Sequence, residues 1–173
     1  MLIVLSGLPG AGKSAIAQIL CRELGATYVR IDTIEQSLRS ALQPNGDVGA
    51  SGYLVAYDIA RSNLALGNAV VADAVNPLNQ VREAWRQVAA SAASDILEVE
   101  IACSDKAEHR RRVEGRTADI PGHTLPSWDD VQTRQYEPWA TDCLRMDTAT
   151  ISAEDAARQI MRAMHLGPQS AKN

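Results

Sequence analysis

A chain of 173 residues, 46% hydrophobic and 22% charged, has the size and composition of one globular domain with a single core, which excludes a disordered or fibrous protein. A formal net charge of −4 and a pI near 5.4 argue against a general nucleic-acid or anionic-membrane surface, while leaving room for a local basic site. The cysteines Cys21, Cys103 and Cys143 are odd in number, widely spaced and set among apolar residues, so they read as reduced core residues of a cytoplasmic protein, not as a disulfide framework or zinc site. No apolar run approaches membrane-spanning length, and the first strand begins too early for a signal peptide to precede it.

Leu2-Ile3-Val4-Leu5 is an apolar run without alternation, as a strand buried on both faces requires. Gly7-Leu8-Pro9-Gly10-Ala11-Gly12-Lys13-Ser14 follows and fits G-x-x-x-x-G-K-[ST], a loop whose backbone N–H groups close on a phosphate chain. Glycine permits the close approach and the positive φ values of such a turn. The helix that opens there adds free N–H groups and partial positive charge. Lys13 would reach the β- and γ-phosphates of a nucleoside triphosphate, with the Ser14 hydroxyl as a ligand of Mg²⁺. Lys13, Lys106 and Lys172 are the chain's lysines, so the loop lysine does not come from a lysine-rich background. Ile16, Ile19, Leu20 and Leu24 recur at helical spacing, and Gly25 stands where a C-terminal cap belongs.

A second strand is expected over Thr27–Ile31, ending at Asp32, and then a helix with Ile34, Leu38, Ala41 and Leu42 on one face. Asp32 with Glu35 reads as an N-cap pair. Its place at the end of a strand next to the phosphate loop equally suits a carboxylate that accepts a proton from a substrate hydroxyl. Residues 43–52 form a loop rich in turn formers. Tyr53, Tyr57, Ala60 and Leu64 mark a helix stopping at Gly67; the two tyrosines suit core packing or substrate stacking. Ala69-Val70-Val71-Ala72 is a third buried strand ending in Asp73, which is either a Mg²⁺-holding acid or a cap for the helix after Pro77.

Val81, Trp85, Val88, Ala89 and Ala92 line the core face of that helix, and Ile96 to Cys103 alternates like a half-buried strand toward the sheet edge. Arg110 and Arg111 read as a solvated face. Arg112 and Arg116 are one turn apart, directly before the Pro- and Gly-bearing segment Thr117–Ser127, and would clamp triphosphate oxygens at the hinge of a lid. His109 and His123 have no companion at metal-ligand spacing and read as non-ligands. A helix restarts at Trp128-Asp129-Asp130 and ends at Tyr136-Glu137-Pro138-Trp139. A short strand, Cys143–Met146, precedes a last helix capped by Ser152, with Ala157, Ile160, Met161 and Met164 on its core face. One domain over residues 1–166 is expected, with a lid at about 112–139 and a disordered tail at 167–173.

On these motifs the chain resembles small P-loop kinases of the nucleoside-monophosphate-kinase fold. It is most similar to the AAA_33-type group of ATP-binding proteins, with relatives among chloramphenicol phosphotransferase, gluconate kinase, zeta toxin and the bacterial polynucleotide kinase domain. The resemblance implies an α/β doubly wound three-layer sandwich with a five-stranded parallel sheet, ATP and Mg²⁺ as cofactors, and a lid carrying Arg112 and Arg116. It further implies an adenine pocket partly built by Asp147-Thr148-Ala149, with Ser14 and Asp73 at the metal. Acceptor-side candidates are Asp32, Arg39, Asp73 and Asn76, with Arg82 also considered for a monophosphate site. Two readings stand side by side: a kinase transferring the γ-phosphoryl group to a hydroxyl of a small molecule, and a nucleotide-dependent hydrolase or switch. Against the second, no Glu adjoins Asp73 to activate water, and no Asn-Lys-x-Asp guanine motif occurs. The expected partner is the small acceptor, with nucleic acid disfavoured by the acidic balance and the chain a monomer or homodimer.

Overall fold

The computed structural model describes residues 1–41 and 48–166. The tail expected at 167–173, Leu42 and part of the loop at 43–52 lie outside the described residues. The strands are β1 (Leu2–Ser6), β2 (Thr27–Arg30), β3 (Val70–Asp73), β4 (Ile96–Ala102) and β5 (Leu144–Asp147). The helices are α1 (Lys13–Leu24), α2 (Ile31–Ala41), α3 (Ser51–Ala65), α4 (Asn79–Ser91), α5 (Lys106–Gly115), α6 (Trp128–Thr133) and α7 (Ala153–Leu166).

With no polar residue among Leu2–Leu5, β1 needs cover on both faces, and it takes the centre of a five-stranded sheet ordered β2-β3-β1-β4-β5. Each pairing is parallel. Alternate residues of β1 feed two cores. Leu2 and Val4 pack with Val70, Ala72 and the α3 and α4 side chains Ala56, Ala60, Trp85 and Val88. Ile3 and Leu5 pack with Ile16 and Leu20 of α1 and Ala157 and Ile160 of α7. Each fully buried Leu, Ile or Val in such a core contributes about 1.5–3 kcal/mol. The result is the three-layer doubly wound sandwich expected. Tyr53 and Tyr57 belong to the first core: their rings are 6.0 Å apart, and Tyr57 meets Trp85 edge-on at 4.6 Å.

Strand order reverses about β1, which opens a crevice at the carboxyl ends of the strands. The register places Leu5 beside Asp73, and Asp73 beside Arg30, at that end. The described cysteines are free thiols. Among the described residues no helix is long and apolar enough to cross a membrane.

The structure corrects the reading of three elements. β2 stops at Arg30 and the chain turns directly into α2, so Asp32 is in the first turn of the helix and not at its N-cap. Glu35 pairs with Arg39 one turn on, at 3.0 Å, and not with Asp32. β4 lies inside the sheet, with β5 at the edge. Its glutamates are tolerated there because Arg86 meets Glu98 at 2.9 Å and Arg145 meets Glu100 at 3.2 Å. Finally, α6 ends at Thr133, and Tyr136–Trp139 is not helical. Pro138 disfavours a helical Glu137, and the two aromatic rings sandwich Arg82 instead, at 4.9 and 4.3 Å from its guanidinium carbon.

Candidate active site

The loop between β1 and α1 takes φ values of +143° at Gly7, +82° at Gly10 and +99° at Gly12. A Cβ on Gly7 would stand 2.1 Å from the Ile101 carbonyl oxygen, so the loop can pass β4 only as glycine. Gly12 is the N-cap of α1 and offers no side-chain cap, which leaves the first-turn N–H groups for an anion. Two side chains brace the loop from behind. His109 Nε2 donates to Pro9 O at 2.8 Å, its ring edge-on to Trp128. Thr148 Oγ1 donates to Ala11 O at 2.9 Å and accepts from Arg112 Nη1 at 2.9 Å. Thr148 is thus buried behind the loop and does not face the cavity, where an adenine contact had been expected.

Lys13 curls over the loop and donates to Leu8 O at 3.0 Å. Burial pushes its pKa below the usual lysine value. Asp73 and Asp32 oppose that shift, while Arg116 and Arg134 reinforce it. The Lys13 ammonium therefore lies within electrostatic reach of two carboxylates and two guanidinium groups. Asp73 is buried and accepts a hydrogen bond from the Tyr28 hydroxyl at 2.7 Å, with Arg30 Nε 4.0 Å away.

From the end of α5 the chain runs through residues 116–127 across the mouth of the crevice before α6. Arg30 grips Asp119 of this segment with both terminal nitrogens, the second at 3.1 Å. Gly122 comes up against Gln36 of α2: a Cβ there would be 3.0 Å from the amide nitrogen. These elements enclose a cavity of about 1180 Å³ lined by Lys13, Ser14, Asp32, Arg39, Asp73, Arg112 and Arg116 among others. That exceeds the roughly 300–1,000 Å³ that suits one small ligand and leaves room for two.

Two expected site residues are elsewhere. Asn76 is fully buried and spends its side chain on Leu5 O, Ser6 Oγ and Trp85 Nε1, at 3.2, 3.1 and 3.0 Å. Arg82 is also fully buried, donating to Asn76 O at 2.9 Å and Glu137 O at 2.9 Å. Both are structural, because no polar group of either side chain is left for a ligand. Arg112 lines the cavity but is held by Glu108 at 2.7 Å and by Thr148. Arg116 makes no side-chain hydrogen bond or ion pair among the described residues, and neither does Arg134, a cavity residue that the sequence reading passed over. Tyr28 and His109 were also missed as site residues. Nothing in their spacing separates a tyrosine or histidine that supports a site from one that fills a core.

The AAA_33 family model, described as an AAA domain, matches residues 2–138. The chain belongs to this family. No curated protein sequence matches it. Among solved structures, a kinase-like protein of Chloroflexus aurantiacus shares 18% identity over 96% of this chain and 96% of its own, with a TM-score of 0.74. The Mycobacterium tuberculosis APS kinase CysC in complex with AMPPNP and APS shares 21% identity over 95% of this chain and 96% of that one, TM-score 0.68. A gluconokinase from Sinorhizobium meliloti shares 18% over 95% and 91%, TM-score 0.65. At these identities the likeness shows the fold, that of P-loop kinases.

Proposed function

We propose that the protein is a cytoplasmic ATP-dependent phosphotransferase that moves the γ-phosphoryl group of Mg·ATP to a hydroxyl of a small polar acceptor. The observation that carries this reading is the single cavity in which the phosphate loop, Asp32 and Asp73 meet under a segment bearing Arg116. Phosphoryl transfer asks for positioning and for neutralisation of spread negative charge, with little covalent chemistry from the protein. Lys13 and the first-turn N–H groups of α1 would hold the β- and γ-phosphates. Arg116 and Arg134, which make no side-chain hydrogen bond or ion pair among the described residues, would meet the charge on the transferring group. Asp32, across the cavity, would orient the acceptor hydroxyl and take its proton.

The residues present fit a magnesium ion. Ser14 and Asp73 offer hard oxygen donors, and Asp73 has one carboxylate oxygen, Oδ1, without a partner among the described residues. Bound there, Mg²⁺ would neutralise the phosphate oxygens. Among the described residues no Phe, Tyr or Trp lines the cavity, and an acceptor held by base stacking finds no platform in it. That supports a hydroxylated small molecule over a nucleotide or nucleic-acid acceptor.

The test is a transfer assay with labelled ATP against a panel of sugars, polyols and hydroxylated antibiotics, on wild type and Lys13→Ala. Acceptor-dependent transfer in wild type, lost by at least two orders of magnitude in the variant, is the expected result. ATP turnover that no acceptor stimulates would favour a hydrolase or switch, and equal activity in both proteins would remove the phosphate loop from the mechanism.

A further inference from the structure

Asp73 has an asymmetric setting. The Tyr28 hydroxyl donates to Oδ2 at 2.7 Å and Arg30 Nε approaches the same oxygen at 4.0 Å, while Oδ1 has no partner among the described residues. Tyr28 stands on β2, its ring packed in the core shared with α1, so the hydroxyl arrives from a fixed platform. A carboxylate turns broadly about its last torsion, and a hydrogen bond to one oxygen decides which oxygen stays free.

We propose that Tyr28 is a positioning residue for the metal centre: it fixes Asp73 through Oδ2 and so leaves Oδ1 to the divalent cation that Ser14 shares. This rests on the reading of Ser14 and Asp73 given above. It separates the two oxygens of Asp73 by task and gives a residue of the edge strand β2 a part in metal binding. Outer partners of this kind typically change metal affinity by 10–100-fold when removed.

The experiment compares wild type with Tyr28→Phe, which keeps the ring and its packing and removes the donor. Binding of AMPPNP is measured by calorimetry over a Mg²⁺ titration, and Mn²⁺ binding to the ADP complex by electron paramagnetic resonance. Expected is a rise of roughly tenfold in the Mg²⁺ concentration that half-saturates the enhancement of AMPPNP affinity, with a parallel weakening of Mn²⁺. AMPPNP affinity without metal should stay within twofold and the melting temperature should hold. In an Asp73→Asn background the same change should add nothing, because the carboxylate it positions is gone. An unchanged Mg²⁺ titration in Tyr28→Phe would overturn the proposal, as would an equal loss with and without metal. A wild type whose affinity ignores Mg²⁺ would overturn the reading of the metal site and this inference with it.

Discussion

Asp32 and Asp73 are both acids near the carboxyl ends of neighbouring strands, yet their surroundings give them different work. Asp73 is buried and tied to Tyr28. Asp32 faces the cavity from the first turn of α2 and makes no side-chain hydrogen bond or ion pair among the described residues. An acid in a first turn stabilises its helix through the macrodipole by about 0.3–1 kcal/mol. Asp32→Asn should therefore lower stability by about that amount and no more. If the carboxylate takes the acceptor proton, phosphoryl transfer should fall by roughly 10²–10⁴-fold, while ATP affinity survives on the untouched phosphate loop. Parallel measurements of melting, calorimetric ATP affinity and transfer decide it; full transfer with Asn at 32 would reduce Asp32 to a helix acid. The phosphate loop was legible in the sequence because its needs are local: glycines at positive φ, then a helix start. Tyr28 and His109 were not, since their partners lie 45 and 100 residues away and only the fold supplies them.

Among the elements, α1 and the segment over the crevice behave in opposite ways. α1 was readable from its apolar spacing and from Gly25, which caps it at φ +60°. Its Cys21 feels burial and the nearby Asp73 charge, which raise the thiol from 9.0 to about 11. At pH 8 that leaves about a hundredth of the thiolate an ordinary cysteine would carry. Iodoacetamide should label Cys21 about a hundredfold more slowly than a model thiol, with the rate climbing toward pH 11; labelling at the model rate would contradict its setting. Residues 116–127, by contrast, carry only turn signals, and the sequence could mark the segment as a lid without saying what it rests on. It rests on Arg30. The Arg30–Asp119 pair depresses the Asp119 carboxyl below its usual 3.8, so the pair's contribution is present above pH 3.8 and is lost as pH falls through the depressed value. At neutral pH, Asp119→Asn should speed hydrogen exchange in 117–126 and leave the melting temperature nearly unchanged, since an exposed pair is worth about 0–1 kcal/mol. Unaltered exchange would mean that other contacts hold the segment.

At the scale of the whole molecule, the crevice keeps its shape through one buried residue. Asn76 joins the end of β1 through Leu5 O and Ser6 Oγ, α4 through Trp85 Nε1 and Arg82 Nε, and α3 through the Tyr53 hydroxyl that its backbone N–H meets at 3.3 Å. It does so at φ +47°, a conformation that asparagine tolerates better than most residues. The sequence reading named Asn76 as an acceptor-side candidate; its burial shows that it joins the wall that carries Asp73. Asn76→Ala strands the Trp85 N–H at about 1–3 kcal/mol, leaves the Leu5 carbonyl with the Ala74 N–H at 3.3 Å, and puts alanine, which lacks asparagine's tolerance for it, in the left-handed region at about 1–2 kcal/mol more. A total of about 2–5 kcal/mol should lower the melting temperature by roughly 10 °C, at about 2–4 °C per kcal/mol for a chain of this size. Asn76→Asp keeps the shape and one acceptor for Trp85 but turns the other oxygen on the Leu5 carbonyl, so it should be destabilised too, and most where the carboxyl is ionised. Asn76→Gly removes the backbone cost alone and should recover only that part of the alanine loss. Thermal melts of the three variants across pH separate these contributions. A melting temperature within 2 °C of wild type in Asn76→Ala would show that the contacts about Asn76 do not hold the crevice wall together.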